Sequence, residues 1–131
     1  MSDPTRIRIL CVDDHPLFRE AIATVIKYQA DMLLVGEAAN GTDAIRMFKE
    51  HRPDVTLMDL RLPDMSGVDT LIAIRADVPE ARIIMLTTFE GNADAQRALE
   101  AGACAYLLKS MPPKDLVAAI RRAHAGEKPA S

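Results

Sequence analysis

Cysteine is scarce in this sequence. The 131 residues include only Cys11 and Cys104, and neither belongs to a C-x-x-C pair or to a cluster with histidine. This spacing excludes a zinc site or a dithiol redox centre of the usual kind. Because both cysteines lie in or beside apolar runs, we expect reduced thiols that pack in the core of a cytosolic chain.

A long apolar segment and an excess of positive charge are also missing. No run approaches the roughly 18–20 apolar residues that a membrane-spanning helix needs, and the polar residues 1–8 contain no signal-peptide core. The formal net charge of -3 gives these residues no electrostatic footprint for nucleic acid. We therefore expect a cytoplasmic chain with no membrane partner and no DNA contact of its own.

The sequence does contain the material for one ordinary domain. Its length suits a single domain, and 49% hydrophobic residues can build a core. Five short apolar runs, at 7–12, 32–35, 55–58, 83–86 and 105–108, alternate with five segments of helical periodicity. Such alternation predicts an α/β fold in which helices cover both faces of one parallel sheet.

Several helix ends are marked by residues with known positional preferences. Pro16 suits the first turn of the first helix. Ser66 can cap the third helix, with Asp69 three residues later, and Gly102 is placed to follow the fourth helix. Along the third helix, the apolar spacing predicts that four residues face the core: Val68, Leu71, Ile72 and Ile74.

Polar residues stand at the ends of four predicted strands. Asp13 and Asp14 follow the first strand, Asp59 ends the third, Thr87 ends the fourth and Lys109 follows the fifth. In open α/β sheets, ligands bind at the edge formed by the carboxyl ends of the strands. We therefore expect these side chains to share one site.

Three carboxylates in one site repel one another unless a cation lies among them. Oxygen ligands without clustered Cys or His favour Mg²⁺, which commonly binds one or two carboxylates together with a phosphate oxygen. Lys109 and the hydroxyl of Thr87 are suited to hold the other side of that phosphate. Asp59 could then act as a nucleophile toward phosphorus and form an aspartyl phosphate.

This combination resembles the receiver domain of bacterial two-component response regulators. The resemblance extends from Arg6 to Gly126, and the residues that carry it stand in the same order on the same elements: Asp13, Asp14, Asp59, Pro63, Gly67, Thr87, Tyr106, Leu107, Leu108 and Lys109. Residues 14–16, 107–110 and 123–127 are similar to the NarL/LuxR-type subgroup. The resemblance implies a flavodoxin-like (CheY-like) doubly wound five-stranded parallel sheet in the order 2-1-3-4-5.

The resemblance also implies a role for each site residue. Asp59 accepts a phosphoryl group from a phosphohistidine on a sensor histidine kinase, and Lys109 pairs with that group. Mg²⁺ is held by Asp14, Asp59 and the backbone carbonyl of Arg61, while Asp13 contributes through water.

A conformational switch and an output are implied in the same way. Thr87 moves toward the phosphoryl group and Tyr106 turns inward, which changes the surface that partners read. Residues 1–126 would form the receiver domain, and residues 127–131 would begin a linker to an absent C-terminal domain, usually a helix-turn-helix that binds DNA. Phosphorylation in this family often promotes a homodimer.

One departure from the family pattern concerns the residue after the strand-five lysine. Ser110 follows Lys109, whereas most receivers have a proline there, often with a cis bond. A cis bond before serine would cost about 2.5–4 kcal/mol. The sequence therefore leaves the geometry of this bond open.

Two other functions stay open on the sequence. A Mg²⁺-dependent phosphatase of the haloacid dehalogenase type would want a second acid two residues after Asp59, where Arg61 stands. A receiver fold used only for docking would bind no metal. If the chain is a working receiver, Arg61 and Phe89 are the positions at which we expect the lifetime of the phosphoryl group to be tuned.

Simpler roles are also open for single residues. Asp13 and Asp14 could cap the first helix, and Lys109 taken alone could be a surface lysine. We expect His15 to be a surface or capping residue, and Asp64 to be a loop residue that only shapes the charge near the site.

Overall fold

The computed structural model describes residues 6–88 and 92–126, so Phe89 and the predicted linker 127–131 lie outside the described residues. The described residues form five strands and five helices in alternation, as predicted. In chain order they are β1 (Ile7–Val12), α1 (Pro16–Lys27), β2 (Met32–Ala38), α2 (Gly41–His51), β3 (Val55–Asp59), α3 (Gly67–Asp77), β4 (Ile83–Thr87), α4 (Asn92–Glu100), β5 (Ala105–Leu108) and α5 (Pro113–His124). None of the helices in these two ranges has the length and apolar character that crossing a bilayer requires.

All five strands belong to one parallel sheet in the order β2-β1-β3-β4-β5. This order confirms the flavodoxin-like fold. The first strand, β1, lies next to the edge strand β2, and β3 pairs with the other side of β1. The ends of β1 and β3 are therefore neighbours at the point where the strand order reverses, which is where ligands bind in this architecture.

The core consists of two apolar layers, one on each face of the sheet. In the α1–α5 layer, strand residues such as Ile9 and Leu57 pack with buried residues of α1 and α5. In the α2–α4 layer, strand residues such as Leu10 and Met58 pack with buried residues of α2, α3 and α4. Because successive strand residues point to opposite faces and both faces are covered, the strands read as continuous apolar runs.

Local signals at α3 and α4 have the structural roles that the sequence predicts. The hydroxyl of Ser66 accepts a hydrogen bond from the N–H of Asp69 over 3.0 Å, so Ser66 caps α3. A Cβ atom at Gly67 would lie only 2.1 Å from the backbone oxygen of Asp59, so only glycine allows α3 to start this close to β3. Gly102 has a φ of +108° just after α4, which glycine adopts readily.

One predicted core position is wrong. Ile72 is 49% exposed, whereas Val68, Leu71 and Ile74 are buried as expected. Leu71 lies at the centre of the buried arc, and the next residue of an α-helix is rotated by about 100° around the axis. That rotation carries Ile72 past the edge of the buried face and into solvent.

Candidate functional site

Four strand ends place polar side chains at one edge of the sheet. Asp59 is the last residue of β3 and Thr87 the last of β4, while Asp13 follows β1 and Lys109 follows β5. The parallel registers align the ends of neighbouring strands. The side chains therefore meet as predicted, beside an open cleft of about 350 Å³.

Lys109 is the buried cation of this site. Its Nζ atom lies 2.5 Å from Oδ2 of Asp13 and 3.2 Å from Oδ2 of Asp59, and its side chain is only 8% exposed. The same nitrogen lies 4.6 Å from the centre of the Phe18 ring on α1, within range of a cation–π contact. The alternative of a surface lysine is therefore wrong. The bond from Lys109 to Ser110 is trans, like every peptide bond in the described ranges.

Asp59 is buried beside a second carboxylate. Burial raises the pKa of the Asp59 carboxyl, and the negative charge of Asp13 raises it further, while Lys109 and the N–H of Arg61 oppose the rise. That N–H donates to Oδ1 of Asp59 over 3.3 Å. With Asp14 nearby, the site holds more negative than positive charge in a partly desolvated position. A bound cation would relieve this repulsion.

The donor set fits the predicted ion. One donor atom from each of Asp13, Asp14, His15 and Asp59 lies within 4.8 Å of the others. Carboxylate oxygens are the ligands that Mg²⁺ prefers in proteins. Arg61 lines the same cleft, and the use of its backbone carbonyl as a further ligand stays a prediction.

His15 belongs to this donor set, which the sequence pattern did not predict. Its Nδ1 atom lies 2.8 Å from Oδ1 of Asp13, 3.3 Å from Oδ1 of Asp14 and 3.9 Å from Oδ2 of Asp59. His15, and neither aspartate, occupies the N-cap position of α1, but its side chain caps no N–H group of the described helix. The signal that could have identified it is its position directly after an acidic pair at a strand end.

Asp64 connects the loop between β3 and α3 to α2, and the sequence did not predict this contact. Its carboxylate accepts hydrogen bonds from the N–H of Gly41 at 2.8 Å, the N–H of Thr42 at 2.9 Å and the hydroxyl of Thr42 at 2.7 Å. The hydroxyl and the two N–H groups lower the pKa of Asp64 to about 2. Asp64 thereby ties the loop that contains Arg61 to the N-terminus of α2, where a negative charge is favoured.

The two predicted switch residues lie in different environments. Thr87 is 3% exposed and lines the cleft. Tyr106 lies on β5 opposite Met85 of β4 and packs, partly buried, against the α2–α4 layer. Their movement on phosphorylation stays a prediction.

Both cysteines are free thiols, as predicted. Cys11 is buried in β1, and Cys104 is partly buried just before β5. Burial raises the pKa of the Cys11 thiol to about 12. The thiol therefore stays protonated at neutral pH and is a poor nucleophile.

Known proteins with related sequences support one family. A family model described as the response regulator receiver domain matches residues 9–121. Over 121 residues, the chain is 40% identical to the response regulator protein VraR of Staphylococcus aureus, an alignment that covers 92% of this chain. The chain spans 58% of the length of that relative.

Two solved structures share the fold. A two-component response regulator of the LuxR family from Aurantimonas has a TM-score of 0.91 at 40% identity, with 96% of this chain and 90% of that chain covered. The signal receiver domain of the putative response regulator NarL from Mycobacterium tuberculosis has a TM-score of 0.90 at 34% identity, with 95% and 100% covered. A parallel sheet in the order 2-1-3-4-5, an acidic site at its carboxyl edge and these likenesses together establish that the chain belongs to the response regulator receiver domains, a family of signalling domains, and is of the LuxR type.

Proposed function

We propose that Asp59 is a phosphoacceptor, which takes a phosphoryl group from a phosphohistidine on a sensor histidine kinase in a Mg²⁺-dependent reaction. The observation that carries this proposal is the position of the Asp59 carboxylate. It is buried at the end of β3, lies 3.2 Å from the ammonium group of Lys109 and borders the open cleft. The donor atoms of Asp13 and Asp14 lie within 4.8 Å of it.

The proposed reaction makes one bond and breaks one bond. A carboxylate oxygen of Asp59 bonds to phosphorus while the bond between phosphorus and the donor imidazole nitrogen breaks. The imidazole leaves with the electron pair and takes a proton from solvent, and an acyl phosphate remains on Asp59. Asp59 must be ionised to attack, and Lys109 favours the ionised form against the effects of burial and of Asp13.

The neighbours of Asp59 would stabilise charge on the transferred group, which is most of what phosphoryl transfer requires. Bound among the carboxylates and the Arg61 carbonyl, Mg²⁺ would supply positive charge at this point. Lys109 supplies a second positive charge, and the Thr87 hydroxyl supplies a neutral hydrogen-bond donor. Asp13, which is 1% exposed, holds Lys109 in place through their 2.5 Å contact.

The proposed consequence is a change in the surface formed by α4, β5 and α5. Thr87 would follow the phosphoryl group, and Tyr106 would turn inward behind it. Membership of the LuxR type supports an output through a helix-turn-helix DNA-binding domain joined by a linker that begins at residue 127. We propose that this domain controls transcription, with a phosphorylation-dependent homodimer as an accompanying step.

The test is phosphate uptake by the purified chain. Incubation with Mg²⁺ and acetyl phosphate should add one phosphate to the wild type, as seen by intact-mass spectrometry, and none to Asp59→Asn. Asp77→Asn changes an exposed carboxylate at the end of α3, so it should behave like the wild type. If the wild type takes up no phosphate from acetyl phosphate, phosphoramidate or a kinase, the proposal is wrong. Failure to bind Mg²⁺ as well would favour the docking-only function.

A further inference from the structure

We propose that His15 is a metal ligand, which shifts the ion preference of this site from Mg²⁺ toward divalent ions later in the first transition series, such as Ni²⁺. The inference rests on the proposed function, because it concerns the same acidic site. It adds a nitrogen ligand to a set that otherwise consists of carboxylates and a backbone carbonyl.

The distances around Nδ1 of His15 are those expected between ligands of one ion. Two ligands about 2.1 Å from an octahedral ion lie about 3.0 Å apart when adjacent and about 4.2 Å apart when opposite. Nδ1 lies 2.8, 3.3 and 3.9 Å from one oxygen each of Asp13, Asp14 and Asp59. Nδ1 of His15 can therefore share an ion with the three carboxylates without a large rearrangement of the chain.

The backbone holds His15 in this position. Its N–H donates to Oδ1 of Asp13 over 2.8 Å. The next residue, Pro16, restricts the preceding residue to extended backbone, and His15 has a φ of -96° and a ψ of 107°. The imidazole is thus presented to the carboxylates by local geometry, which lowers the ordering cost of metal binding.

The chemistry of imidazole decides which ions gain from this arrangement. Hard Mg²⁺ prefers oxygen ligands, whereas imidazole nitrogen suits ions later in the first transition series. If the ring only donates a hydrogen bond to Asp13, it acts on the metal indirectly, and its removal should change the affinities for Ni²⁺ and Mg²⁺ by about the same factor. If the ring is a ligand, its removal lowers the affinity for Ni²⁺ more than the affinity for Mg²⁺.

The first experiment detects the metal–nitrogen bond in the wild-type chain. We expect pulsed EPR of the Mn²⁺-loaded chain, labelled with ¹⁵N only at histidine, to show a coupling from a directly bound nitrogen. The coupling should disappear in His15→Gln and remain in His124→Gln, which changes an exposed histidine on α5. A wild-type spectrum without nitrogen coupling overturns the inference, and so does a coupling that persists in His15→Gln. The absence of a coupling in the wild-type spectrum overturns the inference even if His15→Gln does not fold.

The second experiment measures ion preference by calorimetric titration of each variant. In His15→Gln, the affinity for Ni²⁺ should fall by about tenfold or more beyond any fall in the affinity for Mg²⁺. Losses of this size are seen when metal sites lose supporting residues. An unchanged ratio of the two affinities contradicts the inference.

Phosphorylation of the wild type with Mg²⁺ separates the two proposals. A chain that takes up phosphate but shows no nitrogen coupling overturns the role of His15 alone. A chain that takes up no phosphate from any donor overturns the proposed function, whatever the metal data show.

Discussion

The ammonium nitrogen of Lys109 lies 3.2 Å from a carboxylate oxygen of Asp59, and the two side chains are only 8% and 6% exposed. The same nitrogen contacts Asp13, which is more deeply buried. One buried cation therefore forms ion pairs with two buried carboxylates. Repulsion between the carboxylates is only partly offset, which prepares the site for a second cation and gives the following predictions.

Removal of the buried cation should destabilise the chain. Lys109→Met keeps much of the side-chain volume but leaves two buried carboxylates without their partner. We expect the free energy of unfolding in urea to fall by about 3–5 kcal/mol without Mg²⁺, and by less with Mg²⁺ present. Lys114→Met, at an exposed position of α5, is the control and should have little effect. Equal losses with and without Mg²⁺ would show that the bound ion does not compensate for the lost positive charge of Lys109.

Removal of the Asp59 charge should have the opposite effect. Because burial and Asp13 raise the pKa of this carboxyl above its ordinary value of 3.8, the ionised form is disfavoured in the folded chain. Asp59→Asn should therefore have a higher melting temperature than the wild type at neutral pH without Mg²⁺. The advantage should shrink as the pH falls through the raised pKa toward 3.8, because the folded wild type then binds a proton more tightly than the unfolded chain. A melting temperature that is lower in Asp59→Asn at neutral pH would contradict this account of the charge.

The close approach of α3 to β3 should make Gly67 intolerant of a side chain. In Gly67→Ala, the new Cβ would lie 2.1 Å from the backbone oxygen of Asp59, so α3 or the end of β3 must move. We expect a loss of about 1–3 kcal/mol in urea unfolding, the usual cost of overpacking. In the control Gly36→Ala, the nearest atom is the flexible end of Met47 at 3.0 Å, and the loss should be smaller. A larger loss in the control would show that the contact with Asp59 does not limit this position.

The contact of Asp64 with α2 should give a distinct dependence of stability on pH. The hydroxyl and N–H groups of Thr42 and the N–H of Gly41 lower the pKa of Asp64 from 3.8 to about 2. A lowered acid pKa contributes stability above pH 3.8, and that contribution is lost as the pH falls toward 2. The difference in melting temperature between the wild type and Asp64→Asn should therefore be constant near neutral pH and shrink in this window.

Thr42→Val provides the matched control for this prediction. It removes the hydroxyl group that lowers the pKa of Asp64 the most, so NMR titration should find this pKa closer to 3.8 in the variant. An unshifted Asp64 pKa in the wild type would contradict the contact itself.

The strands and most helix ends could be predicted because their signals are local. β3 and β4 are buried on both faces, so each is a continuous apolar run that ends on a polar residue. Ser66 is a hydroxyl residue in front of an apolar helix, and it does cap α3. Ile72 was misplaced because helical spacing locates the centre of a buried face but not its width.

The site could be predicted in part for the same reason. Parallel strands end at the same edge, so Asp59 and Lys109 were expected to meet, but the order of the strands came only from a family resemblance. Asp64 was missed because 23 residues separate it from its partner Gly41. His15 was missed because the direction of its ring depends on the turn between β1 and α1, which no periodic pattern specifies.

The central claim is that phosphate is transferred to Asp59, and chemical mapping tests it most directly. After treatment with Mg²⁺ and acetyl phosphate, borohydride converts a phosphorylated aspartate to homoserine, which peptide mass spectrometry can locate. We predict conversion at Asp59 alone, and none when EDTA removes the metal. Conversion at Asp13 or Asp14 instead, or no conversion with Mg²⁺ present, would contradict the claim.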